Sequence, residues 1–442
     1  KNMQKVLILT YYWPPASGPG VQRFLKFCKY LPEFGWKPYV ITVENGTYSS
    51  VDETLAQEVP AEVSVTRTRT HEPFALYNRL TGKGKKSGTV GMINMDSGQN
   101  PIKRMSLYAR ANYFIPDARK GWNRFAYKAA KSLIEKENIG IVITTGPPHS
   151  THLVGYQLKQ KLGVKWLADF RDPWINIFYN ETLPRTAPTM QKDKALEDKV
   201  LQSADSVVVV SDGLREEFAD RTDATVIYNG FDNTDLLYQP WNDKNRKFTL
   251  AHVGNFMPGQ NIETLWQALK ELSEKYNEFG SQVKLSFTGN VDNGIWQNLE
   301  KYGLDKMTEN NGYVAHQEAT RQMMIADLLL FVIPRTKRNH LIITGKLFEY
   351  IASRTPILGI GPTEGNAANI LQNAHRHPML DFDDLENIKK RILVAFTKWQ
   401  EADAPFKHDE KDLENFSRKG LTGQLSGLLD EMSKEKVKTV RN

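Results

Sequence analysis

The segment Lys5-Val6-Leu7-Ile8-Leu9-Thr10 is followed by Tyr11-Tyr12-Trp13-Pro14-Pro15-Ala16-Ser17-Gly18-Pro19-Gly20 and then by an amphipathic run. A short apolar run of this kind predicts a strand buried on both faces, which is typical of parallel sheets covered by helices. In the amphipathic run, one helical face carries the apolar side chains Val21, Phe24, Leu25, Cys28 and Leu31. Strand, glycine-containing loop and helix in this order predict the first unit of a doubly wound α/β domain.

The same alternation of apolar runs and helical patterns continues along the chain. Nine further strands are predicted at 38–43, 140–144, 165–168, 206–210, 225–228, 248–253, 283–287, 328–333 and 357–360. The pattern restarts after a polar break at 242–246, so we expect two doubly wound, Rossmann-like domains over residues 1–241 and 246–405. Residues 406–442 are expected to form an amphipathic terminal helix that docks back onto them.

The composition limits the classes of function. The chain has 442 residues, and 58 Lys and Arg against 51 Asp and Glu give a net charge of +7, which is too dilute to predict nucleic-acid binding. Cys28 is the only cysteine, so neither an internal disulfide nor a cysteine zinc site is expected, and a cytoplasmic protein is favoured. Residues 82–101, with lysines at 83, 85 and 86, are expected to form a surface loop. This loop is either solvated or in contact with a phosphorylated acceptor or an anionic membrane surface, and the last would make the protein peripheral on the inner face of the cell membrane.

Ligands of open α/β sheets bind beyond the carboxyl ends of the strands. After the first strand, Gly18 and Gly20 allow backbone amides to approach a ligand where a helix begins, and this position favours an anion. The third glycine of the dinucleotide fingerprint is absent, since Arg23 stands there. The alternative is an ordinary tight turn.

Two further loops follow predicted strands of the first half. In Thr144-Thr145-Gly146-Pro147-Pro148-His149-Ser150-Thr151-His152, either Ser150 or Thr151 is expected to cap a helix, and the helix dipole keeps His149 neutral. His149 is therefore a candidate catalytic residue, and a capping or core histidine is the alternative. A metal site with His152 lacks a third ligand.

The second of these loops is Ala168-Asp169-Phe170-Arg171-Asp172-Pro173-Trp174. Three charged side chains directly after an apolar strand are costly to bury unless they are paired or used. Asp169, Arg171 and Asp172 are therefore candidates for binding acceptor hydroxyls, and an internal Asp–Arg salt bridge is the alternative.

The second half concentrates cations near the predicted strand 328–333. Arg335, Lys337 and Arg338 follow that strand, and Lys346 begins the next helix three residues before Glu349. The amides at 365–368 open another helix and offer donors to a phosphate. Cations and amides around one point suit a departing diphosphate. The alternative is a surface Lys–Glu pair.

The order of these motifs resembles that of the retaining glycosyltransferases of family 4, and among them bacterial enzymes that assemble surface polysaccharide. The motifs are Tyr11-Tyr12-Trp13-Pro14-Pro15 with Gly18-Pro19-Gly20, Pro147-Pro148-His149-Ser150-Thr151-His152, Asp169-Phe170-Arg171-Asp172-Pro173-Trp174, Tyr228-Asn229-Gly230-Phe231-Asp232 and Gly345-Lys346-Leu347-Phe348-Glu349-Tyr350. The resemblance covers roughly residues 4 to 430. It implies the GT-B fold, in which two Rossmann-like domains face each other across a cleft.

The resemblance also implies a hexosyltransferase-like reaction. A UDP- or GDP-sugar would occupy the second domain, and a glycan or lipid-linked glycan acceptor the first, with no cofactor and no metal. Lys346 and Arg335 would face the diphosphate, Glu349 would bind the ribose, and His149 would lie near the reacting sugar. The other implied donor contacts are Gly18, Gly20, Asn255, Tyr313, Val314, Glu364, Gly365, Asn366 and Ala367. Front-face substitution with retention would follow, in which the leaving diphosphate takes the acceptor proton.

Two positions depart from the family pattern. Leu341 stands where a second glutamate is usual, eight residues before Glu349, and the loop 255–261 carries no cation. A nucleotide-sugar-binding protein with weak catalysis and a GT-B sugar-nucleotide 2-epimerase therefore remain alternatives. Asp381-Phe382-Asp383 spells the D-x-D of the other transferase fold, but its position late in the chain predicts a surface turn.

Overall fold

A computed structural model of the chain describes residues 3–48, 50–71, 101–177, 180, 183–232, 246–402 and 406–434. The chain divides into two compact units, which we call the first unit (Lys1–Asn229 with Arg418–Asn442) and the second unit (Gly230–Ser417). The domain limits that we expected at 241 and 405 lie outside the described residues, as does the lysine-rich loop at 83–86. Within the described residues, no helix is both long and apolar enough to cross a membrane.

The first unit is built on a seven-stranded parallel sheet with the order β3-β2-β1-β4-β5-β6-β7. Its strands are β1 (Gln4–Leu9), β2 (Trp36–Val43), β3 (Ser64–Thr68), β4 (Ile141–Gly146), β5 (Lys165–Phe170), β6 (Ser206–Val209) and β7 (Ala224–Val226). The strand order reverses between β1 and β4, where Val6 lies opposite Ile141.

In the part of the first unit that the structure describes, six helices lie along the chain between these strands. They are α1 (Pro19–Tyr30), α2 (Pro101–Tyr113), α3 (Asn123–Glu137), α4 (Ser150–Leu162), α5 (Ala187–Ser203) and α6 (Asp212–Phe218). Alternate residues of β1 enter different cores, because successive side chains of a strand point to opposite faces. Val6 and Ile8 join the core that contains Phe24 of α1, whereas Leu7 joins the core that contains Ala126 of α3. The sheet is therefore covered on both faces.

The second unit contains a five-stranded parallel sheet with the order β10-β9-β8-β11-β12. Its strands are β8 (Phe248–Val253), β9 (Val283–Thr288), β10 (Thr308–Gly312), β11 (Leu328–Val332) and β12 (Ile357–Ile360). Its helices are α7 (Glu263–Lys275), α8 (Asn277–Gln282), α9 (Asn293–Lys301), α10 (His316–Ile325), α11 (Gly345–Ala352), α12 (Asn366–Asn373) and α13 (Leu385–Glu401). The apolar faces of α7 and α13 share one buried core with the strands, in which Leu250, Leu269 and Ile392 take part.

The terminal helix α14 (Arg418–Lys434) belongs to the first unit. Its side chains Leu421, Leu425 and Leu429 are buried in the core that also contains Phe24. The indole of Trp36 donates a hydrogen bond of 3.0 Å to the carboxylate of Asp430 on this helix. Short 3₁₀ helices complete the described elements at Leu31–Phe34, Glu53–Glu58, Lys120–Trp122, Pro258–Gln260, Asp305–Met307, Asn339–Leu341 and Glu410–Phe416.

The predicted α/β architecture is confirmed, and all ten predicted strands are present. Two strands that we did not predict, β3 and β10, are the edge strands on corresponding sides of the two sheets. Their sequences, Ser-Val-Thr-Arg-Thr and Thr-Glu-Asn-Asn-Gly, are polar and leave every residue at least partly exposed. An edge strand pairs on one side only, so it can tolerate side chains that a central strand cannot.

Candidate functional site

The strand order fixes where ligands are expected in each unit. A doubly wound sheet binds its ligand at the carboxyl ends of the two strands between which the order reverses. These strands are β1 and β4 in the first unit and β8 and β11 in the second. The loops that follow them contain several of the residues that the sequence singles out.

In the second unit, Lys346 of α11 lies directly over the backbone of Gly254, which follows β8. Gly254 has φ +110°, and a Cβ built there would stand 2.7 Å from Cε of Lys346. The ammonium group lies 3.0 Å from Nε2 of His252 and 3.3 Å from the carbonyl oxygen of Asn255. Glycine at 254 is thus required both by the backbone angle and by the approach of the lysine.

His252 is a member of this cluster that our sequence analysis missed. It is fully buried and stacks on Phe256 with ring centroids 4.0 Å apart. Nδ1 lies 3.1 Å from the carbonyl oxygen of Leu330, and Nε2 lies 3.3 Å from the carbonyl oxygen of Asn255 and 3.0 Å from the Lys346 ammonium. Because a charged ammonium can only donate, Nε2 accepts from it, and the neutral ring carries its proton on Nδ1. Nε2 is then the acceptor that faces the Lys346 ammonium. The only signal for His252 in the sequence is that its polar ring stands within the apolar strand Phe-Thr-Leu-Ala-His-Val.

The protonation states of this cluster follow from burial. Burial lowers the pKa of Lys346 to about 8, and the nearby Glu349 carboxylate partly opposes this shift. Burial, together with the Lys346 charge, holds the pKa of His252 well below its ordinary value. At neutral pH the cluster is therefore a neutral imidazole beside a lysine that is mostly charged and that gains from an added anion.

Arg335 is not joined to Lys346 by any contact within the described residues. Its guanidinium forms an ion pair with Asp383 and lies 4.6 Å from the ring centroid of Phe382. Asp383 belongs to the predicted D-x-D turn, which the structure confirms as a turn. The role of Arg335 at a diphosphate thus stays a prediction, and it requires this exposed pair to separate.

The start of α12 is shaped by contacts with the 3₁₀ helix Asn339–Leu341. Gly365 has φ +125°, and a Cβ there would stand 2.4 Å from the carbonyl oxygen of His340. Asn366 donates from its amide to the carbonyl oxygen of Leu341 at 2.9 Å, and both Asn366 and Ala367 are buried. Leu341 thus helps to hold the start of α12 through its backbone, whatever its side chain.

The remaining donor candidates of the second unit are more exposed. The Tyr313 side chain is 84% exposed, Val314 is half-buried, and Glu364 is exposed in the loop before α12. Asn255 contributes its carbonyl oxygen to Lys346, and its side chain lies 3.4 Å from the amide of Asn290. Base and sugar contacts for these residues stay predictions.

In the first unit, Gly20 is covered by Arg171. Helix α1 begins at Pro19 after Gly18, whose φ is +126°, and a Cβ on Gly20 would overlap the Arg171 guanidinium at 1.3 Å. Arg171 donates to the hydroxyl of Thr145 at 3.0 Å and to the carbonyl oxygen of Pro147. The loops after β1, β4 and β5 are therefore brought together around this guanidinium.

Asp169 forms a buried ion pair, but with Arg23 and not with Arg171. The two groups lie 2.7 Å apart, both are almost fully buried, and the other oxygen of Asp169 accepts from Thr145 at 2.8 Å. Arg23 also donates to the carbonyl oxygens of Ile227 and Tyr228 at 2.8 Å. Asp169 is thus paired, as a buried charge requires, but with a partner outside the motif instead of Arg171. Both of its oxygens are engaged, whereas Asp172 is exposed.

His149 is enclosed beside the start of α4. It is 5% exposed, stacks on Trp174 with centroids 5.1 Å apart, and has no hydrogen-bond partner of good geometry in the described part of the chain. Burial, with a smaller contribution from Arg171, lowers its pKa to about 3, so it is neutral as expected. His149 and His152 both approach the Cα of Gly146, where a Cβ would stand 2.7 and 2.6 Å from their nitrogens.

The cap of α4 differs from the prediction. Neither Ser150 nor Thr151 caps the helix; instead Asp117 accepts from both the backbone amide and the hydroxyl of Ser150 at 2.8 Å. An acidic cap at a helix start is favoured by the dipole. Among the described residues, no group of three or more His, Cys, Asp or Glu could hold a metal ion.

No protein-family model matches the sequence, and no curated protein matches it. Sucrose-phosphate synthase from Thermosynechococcus elongatus is similar in structure, with 14% identity, a TM-score of 0.58, and 98% of this chain and 100% of that chain covered. The Anabaena protein HepE, solved in complex with UDP and glucose, gives 14% identity, a TM-score of 0.54, and coverage of 97% and 99%. A Listeria monocytogenes protein to which UDP-N-acetylglucosamine 2-epimerase activity is ascribed gives 9% identity and a TM-score of 0.52, with 98% of each chain covered.

At such low identities these similarities bear on the fold alone. They match two Rossmann-like domains over nearly the whole chain, as the sequence predicts. The chain therefore has the GT-B fold, the fold of a large class of glycosyltransferases.

Proposed function

We propose that this protein is a retaining, metal-independent glycosyltransferase of family 4. It would transfer a sugar from a UDP- or GDP-sugar to a lipid-linked glycan acceptor during the assembly of a surface polysaccharide. The observation that carries the proposal is the Lys346 ammonium held over Gly254, at the carboxyl end of β8 where the strand order of the second sheet reverses. That is where a doubly wound domain binds a phosphate-bearing ligand.

The proposed donor contacts lie in the second unit. The positive charge of Lys346, which Glu349 compensates only in part, would neutralise the diphosphate. Glu349, on the same helix, would bind the ribose. The backbone amides that begin α12 at Asn366 would donate to the phosphates, because the first amides of a helix lack partners within the helix. HepE was solved with UDP and glucose, and we carry this ligand class to the present chain as part of the proposal.

The proposed reaction depends on stabilising the leaving diphosphate and does not require a base supplied by the protein. As the sugar–phosphate bond breaks, charge grows on the diphosphate, and a cation and helix-start amides lower the energy of that state. The leaving diphosphate would take the acceptor proton on the same face, which gives retention. His149, whose buried ring is neutral, would offer a hydrogen-bonding nitrogen to the reacting sugar.

The proposed acceptor side rests on the first unit. Arg171 sits among the loops after β1, β4 and β5, and Asp172 beside it is exposed. Asp169 would act indirectly, because its ion pair with Arg23 fixes the start of α1 against the loop that carries Arg171. A lipid-linked acceptor would place the protein on the inner face of the cell membrane; recovery with anionic liposomes in a flotation assay tests this part.

The experiment begins with a thermal-shift screen against UDP-, GDP- and dTDP-sugars. A ligand that binds only the native state raises the melting temperature, so one nucleotide should stand out from the other two. We then expect Lys346→Ala and Glu349→Ala each to lose that shift and most transfer activity while keeping the unliganded melting temperature. Lys390→Ala, an exposed lysine on α13, is the matched control. Near-normal transfer in both site variants would remove the site assignment.

A second candidate function is nucleotide-sugar binding without efficient transfer. It is favoured by the pairing of Arg335 with Asp383 and by the cation-free loop 255–261, which leave Lys346 as the one cation at the end of β8 among the described contacts. A thermal shift with no sugar transfer to any acceptor extract would support it. Formation of an epimer from the donor without acceptor would instead identify a 2-epimerase.

A further inference from the structure

A cavity lies in the second unit at the amino ends of β11 and β12, whereas the candidate donor site lies at the carboxyl ends of the strands. The volume of the cavity is about 300 Å³. Two of its lining residues, Asp327 and Pro356, directly precede β11 and β12, whereas the donor candidates follow β8 and β11. The cavity is thus separated from the donor site by the length of the strands.

Two cations in the lining lack an acidic partner. The guanidinium of Arg391 donates to the carbonyl oxygen of Ile357 at 3.2 Å, but its Nε is buried without a hydrogen-bond partner. Lys398, about two helical turns further along α13, lies 5.4 Å from the ring centroid of Phe406. Among the residues that the structure describes, neither Arg391 nor Lys398 makes an ion pair. Burying the Arg391 guanidinium without a counter-charge is costly, and a bound anion would remove that cost. Lys398 is exposed and adds a second positive charge to the lining.

Burial supports the same conclusion for Arg391. It lowers the pKa of the guanidinium below its ordinary value, with no carboxylate acting against it. A third lining cation, Arg376, is 5% exposed and donates to the carbonyl oxygen of Ala374 at 2.9 Å. Three cationic side chains from two segments of the chain therefore converge on one small cavity.

The acidic side chain in the lining is already neutralised. Asp327 accepts from Arg246 at 2.7 Å and from the backbone amide of Thr249 at 2.9 Å. Both oxygens of its carboxylate are engaged, because Arg246 also donates to the second one. Asp327 thus leaves the positive charge of Arg391 and Lys398 uncompensated.

The other side of the cavity is apolar and aromatic. Trp399, next to Lys398 on α13, and Phe406 line it together with Ala395. An aromatic wall beside a cationic one suits a ligand with a ring and one concentrated negative charge. A volume near 300 Å³ is at the lower end for small-molecule sites, which favours a molecule smaller than a nucleotide sugar.

We propose that this cavity binds a small sugar phosphate, with its phosphomonoester against Arg391 and Lys398 and its ring against Trp399. A phosphomonoester carries between about 1.5 and 2 negative charges at neutral pH and three acceptor oxygens, which matches two unpaired cations. The site is separate from the donor site and does not depend on the proposed glycosyltransferase activity.

Isothermal titration with glucose 6-phosphate and with inorganic phosphate tests the proposal on the full chain. We expect glucose 6-phosphate to bind the wild type and Lys346→Ala equally well, because the donor site is not involved, and inorganic phosphate to bind more weakly. Arg391→Met and Lys398→Ala should each weaken binding about tenfold or more, the loss expected for a charge-assisted hydrogen bond. Lys390→Ala, an exposed neighbour on α13, should bind like the wild type.

Lys398 is exposed, so its variant tests the site even if Arg391→Met does not fold. Three results would overturn the proposal. The first is no heat of binding from glucose 6-phosphate at millimolar concentrations, and the second is equal binding by Lys398→Ala and Lys390→Ala. The third is loss of binding in Lys346→Ala, which would place the sugar phosphate at the donor site instead.

Discussion

The pKa of Lys346 makes a quantitative prediction for nucleotide binding. Because burial lowers this pKa to about 8, the Lys346 amine of the unliganded protein is largely protonated at pH 7 and largely neutral at pH 9. A bound diphosphate favours the charged form and raises the pKa again. Lys346 must therefore take up a larger fraction of a proton on binding as the pH rises, and the affinity for the diphosphate must fall.

The size of the effect follows from linkage. If only the charged lysine binds the diphosphate, the apparent dissociation constant is multiplied by about 1.1 at pH 7 and by about 11 at pH 9, a loss of about tenfold, or about 1.4 kcal/mol. Proton uptake should rise from about 0.1 per complex at pH 7 to about 0.5 at pH 8 and about 0.9 at pH 9. His252, which faces the ammonium, stays neutral throughout because its pKa is held well below its ordinary value.

The assay is isothermal titration with UDP or GDP, whichever binds, in buffer pairs with different heats of ionisation. Lys346→Arg is the control, because a guanidinium keeps its charge over the whole range and should bind with an affinity independent of pH. Lys346→Met should bind weakly and also without pH dependence. An affinity of the wild type that does not change between pH 7 and 9, or the same slope in Lys346→Arg, would refute the reasoning.

Three further predictions address the two sheets and the reaction. Arg23→Met should lower the free energy of unfolding by about 3–5 kcal/mol in urea titrations, because it leaves the Asp169 charge buried alone; an unchanged midpoint would contradict the ion pair. Gly365→Ala should cost about 2 kcal/mol or more, because of its positive φ and the close carbonyl oxygen of His340, whereas Gly345→Ala, which meets no atom within 4 Å, should be nearly neutral; equal losses would argue against the tight start of α12. Transfer activity should be unchanged by EDTA, and strict dependence on an added divalent ion would contradict the proposed mechanism.

The sequence predicted the central strands because burial on both faces demands continuous apolar runs. The edge strands β3 and β10 escaped prediction for the opposite reason, since polar residues such as Arg67 and Asn310 are tolerated where pairing is one-sided. Both parallel sheets were still predicted, because the other strands and the helices between them kept the alternation of apolar runs and helical patterns. The positions of the loops at the strand ends followed from it as well.

Individual contacts at the candidate site were harder to predict, because they join distant parts of the chain. Asp169 pairs with a residue 146 positions away and Arg335 with one 48 positions away. His252 reaches Lys346 across 94 positions. A charged motif shows that a partner is needed, but only the packing of strands and helices selects which one. Gly20 was predicted to let a ligand approach the backbone, but Arg171 covers it; Gly254, which was not predicted, is covered by Lys346.

The central claim is that a diphosphate binds beside Lys346 in the second unit. A crystal structure of the chain soaked with the nucleotide diphosphate that gives the largest thermal shift tests it most directly. We predict a phosphate oxygen within hydrogen-bond distance of the Lys346 ammonium and the ribose against Glu349. Density for the nucleotide in the first unit, or in the cavity beside Arg391, with the end of β8 empty, would contradict the account.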